Sequence, residues 1–168
     1  MKKYSTENIR NVAFVGHGDS GKTTLVEALL YVSGATKRLG KVEEGNAVTD
    51  YDPEEIKRHI SINAAIAPLE WRNCKINAID TPGYADFIGE AISGLRIADA
   101  AAVVVDAVSG VEVQTERVWS IAEENGLPRI GIINRLDREN ADFEATLAAV
   151  RESFGDSIVA VQVPIGKE

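Results

Sequence analysis

The sequence predicts an α/β domain in which a mostly parallel sheet is covered by helices on both faces. Two observations carry that reading. Residues 100–105 are continuously apolar and residues 128–133 are apolar apart from Arg129. Such runs alternate along the chain with helical segments, the pattern of parallel strands buried on both faces. The chain has 168 residues, 45% of them hydrophobic. That length fits one domain with a sizeable core.

The first strand is expected over 9–16, where Val12-Ala13-Phe14-Val15 leads straight into a glycine-rich stretch. A helix is expected over 21–33, since Thr24-Leu25-Val26-Glu27-Ala28-Leu29-Leu30 is a strong helix former. Residues 34–61 contain Gly34, Gly40, Gly45 and Pro53 among mixed charges and show no period. So long an unpatterned stretch in a compact domain points to a functional or mobile loop. Strands are then expected at 62–70, 74–80, 100–106 and 128–134, and helices at 85–98, 112–125 and 141–154. Helix 112–125 sets Val111, Val118, Ile121 and Ala122 against Glu112, Glu116, Glu123 and Glu124. Asn125-Gly126, with Pro128 just beyond, ends it.

Between the first strand and helix, Gly16-His17-Gly18-Asp19-Ser20-Gly21-Lys22-Thr23 matches G-x-x-x-x-G-K-[ST] without a mismatch. A strand before it and a helix after it are the context of a phosphate-binding P-loop. Backbone N–H groups of 17–22 and the helix N-terminus would face phosphate oxygens. Lys22 would reach the β- and γ-phosphates and the Thr23 hydroxyl would ligate Mg²⁺. The fold class is therefore that of a P-loop nucleoside triphosphatase. A second motif, Asp80-Thr81-Pro82-Gly83, ends the apolar strand Ile76-Asn77-Ala78-Ile79. Ligands of open α/β sheets bind at the carboxyl ends of strands. Asp80 there can hold a Mg²⁺ water, and the Gly83 N–H can approach the γ-phosphate. A third, Asn134-Arg135-Leu136-Asp137, ends strand 128–134. The Asp137 carboxylate can accept from N1–H and the exocyclic amine of guanine, a paired donor edge that adenine lacks.

Three such motifs in this order resemble the translational GTPases, and elongation factor G is the branch most similar. The likeness extends through Asp50-Tyr51 and Arg58-His59-Ile60-Ser61-Ile62, through Ala85-Asp86-Phe87, Gly110-Val111 and Gln114, and through Asp137-Arg138 and Ala141-Asp142-Phe143. It implies a GTP-hydrolysing switch with GTP/GDP and Mg²⁺ as ligands and the ribosome as partner through a longer parent protein. It implies nucleotide contacts at His17, Gly18, Asp19, Ser20, Gly21, Lys22, Thr23, Thr24, Asp80, Gly83, Asn134, Arg135 and Asp137. It implies Mg²⁺ ligation by Thr23, Ser61 and Asp80, catalysis involving Lys22, Asp19, Gly83 and the residue at 84, and a first switch at 34–61.

The chain departs from the family pattern at several points. Tyr84 stands where the family has the histidine that orients the attacking water. A phenol, with a pKa of about 10, cannot become cationic near neutral pH. Tyr84 either hydrogen-bonds the water or packs on the second switch, and slow hydrolysis is expected either way. Arg135 replaces a lysine, Ser61 a threonine and His59 a glycine. The family's fifth guanine-binding element has no counterpart here. The expectation is therefore a GTP-binding domain fragment, 1–168, lacking the final strand and helix, with 157–168 as the start of an insert subdomain. Weak nucleotide affinity and an exposed strand edge around 157–163 are expected of an otherwise monomeric fragment.

Composition narrows the alternatives. Net charge is −8, unlike a duplex-DNA binder driven by counterion release. No apolar run reaches membrane-span length and no secretory h-region is present at the N-terminus. Cys74, the one cysteine, agrees with a reducing cytoplasm. A GTP-binding module with little hydrolysis acting as a non-housekeeping paralogue, or a P-loop ATPase or kinase outside translation, remain the competing readings.

Overall fold

The computed structural model describes residues 2–166. Five strands form one sheet in the order β2-β3-β1-β4-β5: β1 (Ile9–Val15), β2 (Ala65–Trp71), β3 (Cys74–Asp80), β4 (Ala100–Asp106) and β5 (Arg129–Asn134). All neighbours pair in parallel except the β2–β3 hairpin. The helices are α1 (Lys22–Val32), α2 (Pro53–Arg58), α3 (Ile88–Arg96), α4 (Val113–Glu124) and α5 (Phe143–Phe154). Among the described residues, no helix is long and apolar enough to cross a membrane.

The alternation of side chains along β4 explains the two-sided core. Ala101 and Val103 join Ala13, Val15, Ile79, Ala91, Leu95, Val118 and Ala122 under α3 and α4. Ala102 and Val104 join Phe14, Val26, Leu30, Ala67, Leu69 and Ala78 under α1. A strand buried on both faces must be apolar at every position, which is why β4 shows no polar–apolar alternation. The carboxyl ends of β1, β3 and β5 consequently emerge on one rim of the sheet.

Two expectations need correction. Residues 157–163 form no strand; Val159, Val161 and Val163 are largely exposed. An alternating apolar stretch without a partner strand has no ladder to satisfy its backbone. The edges of the sheet are instead β2 and β5, where Ile66 is 60% and Ile130 51% exposed. Residues 167 and 168 of the expected insert start lie outside the described residues. The 34–61 stretch is not wholly irregular, since it contains α2. Asp52 N-caps α2 by accepting from the Glu54 N–H, and Glu55 completes a capping box with proline in the first turn.

Candidate functional site

The phosphate loop leaves β1 at its carboxyl end and turns directly into α1. Gly21 caps that helix at φ +88, and a Cβ there would meet Asn134 Nδ2 at 2.5 Å. Both conditions select glycine. No side chain caps the first turn, which leaves its N–H groups to the loop. Lys22 is buried, and its ammonium donates to the His17 carbonyl at 2.7 Å. Burial lowers its pKa from 10.5 to about 8, with Asp80 and Asp19 pulling it back upward.

Thr23, Ser61, Asp50, Thr49 and Asp80 form an oxygen-rich cluster beside the lysine. The Thr23 and Ser61 hydroxyl oxygens are 3.1 Å apart. Ser61 donates to Asp50 Oδ1 at 2.7 Å, and Thr49 donates to Asp80 Oδ2 at 2.7 Å. Asp50 Oδ2 and Asp80 Oδ1 are buried with no hydrogen-bond partner. Burial pushes the Asp80 carboxyl up to about 6 against the pull of the Thr49 hydroxyl and Lys22, and it raises Asp50 as well. Two hydroxyls and two unpartnered buried carboxylate oxygens are a donor set that suits a hard cation such as Mg²⁺. Among the described residues no group of three His, Cys, Asp or Glu side chains could cage a metal alone. Such an ion would therefore share its ligation with ligand oxygens or water.

The Asp80–Gly83 turn lies against the phosphate loop. A Cβ on Gly83 would collide with the His17 carbonyl, Lys22 Nζ and the Gly18 nitrogen, so only glycine permits this approach. Tyr84 covers Gly18, its ring carbons 3.0–3.2 Å from where a Gly18 Cβ would stand. Its hydroxyl donates to Asp19 Oδ2 at 3.0 Å. Tyr84 is thus both packed against and hydrogen-bonded to the phosphate loop. Burial and the Asp19 carboxylate raise its pKa.

At the third strand end, Asn134 Nδ2 donates to the Ser20 carbonyl at 2.9 Å, tying β5 to the phosphate loop. Ser20 itself is fully buried. Arg135 has φ +62 and places Nε beside Gly21, while its guanidinium reaches Asp106 Oδ2 at 3.4 Å. Arg138 reaches the same oxygen at 3.5 Å. Asp137 is exposed in the loop after β5. Thr24 is also exposed and helps line a cleft of about 400 Å³ that runs from the phosphate loop past Ser61 to Arg135 and Arg138.

Asp106 and Glu27 escape a reading of motifs, while His17 of the phosphate loop turns its side chain away from it. Asp106 accepts from the Val108 and Ser109 N–H groups and from both arginines. Burial alone would raise its pKa, but these donors hold it below the usual carboxylate range. The His17 side chain turns toward α4, with Nδ1 3.2 Å from Thr115 Oγ1 and Nε2 3.2 Å from Glu112. Burial lowers its pKa despite the Glu112 carboxylate. Glu27, fully buried, accepts from the Gly40 N–H at 3.1 Å and the Val48 N–H at 2.5 Å, fastening the long loop to α1. The position of Asp106 at a strand end was the signal available for it. Nothing local marks Glu27.

Comparison with known proteins agrees with this architecture. The elongation factor Tu GTP binding domain family matches residues 7–165. Elongation factor G 2 of Streptomyces coelicolor is 44% identical over all of this chain and 24% of its own length. Mitochondrial ribosome-releasing factor 2 of Scheffersomyces stipitis is 45% identical over 98% of this chain and 19% of its own. A crystal structure from Thermus thermophilus superposes with a TM-score of 0.84 at 48% identity, covering 88% of this chain and 22% of the other. The chain thus spans about a quarter or less of these relatives. With the three strand-end motifs on one rim and the family match over nearly the whole length, the chain belongs to the elongation factor Tu GTP-binding domain family, and within it resembles elongation factor G.

Proposed function

We propose that the chain is the guanine-nucleotide switch domain of a translation factor of elongation factor G type, hydrolysing GTP and acting at the ribosome through the protein it belongs to. The observation that carries this reading is the junction of Asn134 with the Ser20 carbonyl at 2.9 Å. It joins the base-reading loop to the phosphate loop, so one nucleotide can span both. Lys22 and the 17–22 backbone hold the phosphates, and the Gly83 N–H faces them. Asn134 and Arg135 support the base while Asp137 reads guanine. Thr23, Ser61 and Asp80 hold Mg²⁺, which when bound neutralises phosphate charge. Asp19 and Tyr84 border the γ-phosphate side. The cytoplasm is the proposed compartment, and the domain acts as a monomer without DNA or membrane partners.

A second reading, binding with little turnover, draws on one observation. The Tyr84 hydroxyl is engaged by Asp19, and a phenol is a poor group for orienting and relaying protons from water near neutral pH. Slow hydrolysis in isolation follows from either reading. Titration with fluorescent GDP, GTP and ADP in Mg²⁺ tests the main proposal. Guanine preference is expected, and equal or tighter ADP binding refutes it. Single-turnover hydrolysis with and without ribosomes separates the two readings, because stimulated turnover excludes a pure binder.

A further inference from the structure

Glu55 is fully buried, yet no cation pairs with it among the described residues. Its carboxylate instead collects three backbone donors. Oε2 accepts from the Asp52 N–H at 2.9 Å, and Oε1 accepts from the N–H groups of Ile62 and Asn63, each at 2.9 Å. A buried carboxylate without a counter-ion is tolerated only where such donors replace its lost hydration. The first bond closes the N-terminus of α2. The other two seize the chain immediately after Ser61.

The residue between those anchors is the one whose hydroxyl meets Thr23 and Asp50. Serine lacks the β-methyl that restricts threonine at χ1, so its side chain sets its own position less firmly. The backbone leading to it is also strained, because His59 occupies the left-handed region at φ +55. A non-glycine residue holds that conformation at a cost and needs surrounding structure to impose it.

We infer that Glu55 is a positioning residue whose carboxylate clasps the backbone within the first switch at Asp52 and just after it at Ile62 and Asn63, and so delivers Ser61 to the metal and γ-phosphate side of the site. This rests on the proposed reading of Ser61 as a Mg²⁺ ligand. Glu55 touches neither Thr23 nor Lys22 through a hydrogen bond and acts through the chain alone. Its contribution therefore appears with a nucleotide that engages Ser61 and vanishes when Ser61 has no hydroxyl.

The test compares Glu55→Gln and Glu55→Ala with wild type, with Ser61→Ala, with the double variants, and with Val150→Ala. Val150 is buried in α5, outside the site, and controls for general destabilisation. Affinities for GDP and for a non-hydrolysable GTP analogue are measured in Mg²⁺ and in EDTA. The Glu55 variants should lose about tenfold in analogue affinity in Mg²⁺, as expected from losing charge-assisted bonds, with GDP affinity much less changed. On the Ser61→Ala background they should cost nothing further. Equal losses for both nucleotides, or full additivity with Ser61→Ala, would overturn the inference. Amide exchange in nucleotide-free protein supplies an independent arm: Ile62 and Asn63 should exchange faster in Glu55→Ala than in wild type, because alanine removes the oxygen that accepts from both, and unchanged exchange refutes the clasp. If wild type binds no guanine nucleotide, the functional reading fails while amide exchange still decides whether the clasp exists.

Discussion

Replacing Asp80 by asparagine should make the metal-free, nucleotide-free domain more stable while abolishing its Mg²⁺-dependent nucleotide binding. Asp80 is 2% exposed, and its Oδ1 has no hydrogen-bond partner. Burial raises its pKa from the ordinary 3.8 to about 6. The sign follows from proton counts. Between these values the folded state keeps a proton that the unfolded chain has lost, so stability falls as pH rises from about 4 to about 6 and stays low above that. At neutral pH the ionised carboxylate costs the fold about 3 kcal/mol. Asparagine keeps an oxygen to accept from Thr49 and carries no charge, which recovers that cost. Lys22 gives part of it back, because its ammonium loses a favourable neighbour. A net gain of about 2 kcal/mol is expected. The assay is urea unfolding of both proteins in EDTA at pH 5 and pH 7.5. The gain should be large at the higher pH and shrink at the lower. A variant that is less stable than wild type at pH 7.5, or a difference that does not depend on pH, refutes the reasoning.

Tyr84→His should raise single-turnover GTP hydrolysis by at least about tenfold, since an imidazole can orient and exchange protons with water near neutral pH. Loss of hydrolysis in that variant would mean that Tyr84 itself serves the reaction. Asp137→Asn should weaken GDP binding by about thirtyfold, the value of one bond to a charged acceptor since asparagine keeps one accepting oxygen, and erase the preference over ADP in competition titrations. An unchanged guanine preference would place base recognition elsewhere. His59→Gly should shift thermal stability by less than about 1 kcal/mol, because relief of a left-handed residue and the added freedom of the unfolded chain nearly cancel. A loss well above that in calorimetry would show that the contact from His59 Nδ1 to the Val42 carbonyl, 3.0 Å, matters more than the strain.

The sheet was legible because its signals are local. Residues 100–105 could be apolar at every position only if both faces were buried, and Asn125-Gly126 announced a helix end that Gly126 makes with φ +65. Helix α2 was missed, although Asp52-Pro53-Glu54-Glu55 is a capping box with proline in the first turn. The glycines and charges around it obscured that signal. The buried glutamates were not legible. A glutamate ordinarily faces solvent, and only the distant N–H groups of Gly40 and Val48 make the burial of Glu27 in α1 tolerable. The Tyr84–Asp19 bond joins residues 65 positions apart, and no local pattern encodes it. The alternation of Val159, Val161 and Val163 spoke for a strand, but a strand exists only with a partner, and residues 157–163 have none in the sheet.

Lys22 and Asp80 are perturbed in opposite directions by one cause. Each favours the charge of the other, yet burial outweighs that attraction for both. The sequence thus places an ammonium and a carboxylate where neither is well solvated by protein or water. This is poor design for a static fold, which would do better with apolar residues of similar volume. It is sound design for a switch. A ligand that carries anionic phosphate oxygens and a hard cation offers each group the counter-charge it lacks, so relief of the strain adds to its affinity and is lost when the ligand changes. Buried backbone clasps such as Glu27 and Glu55 make that arrangement possible, since they hold the long loop over the site without adding a positive charge that would compete with the cation. The charges in this site therefore divide into two kinds. Those on Lys22 and Asp80 remain available to a ligand, while those on Glu27 and Glu55 are satisfied by the chain and fix where the ligand meets it.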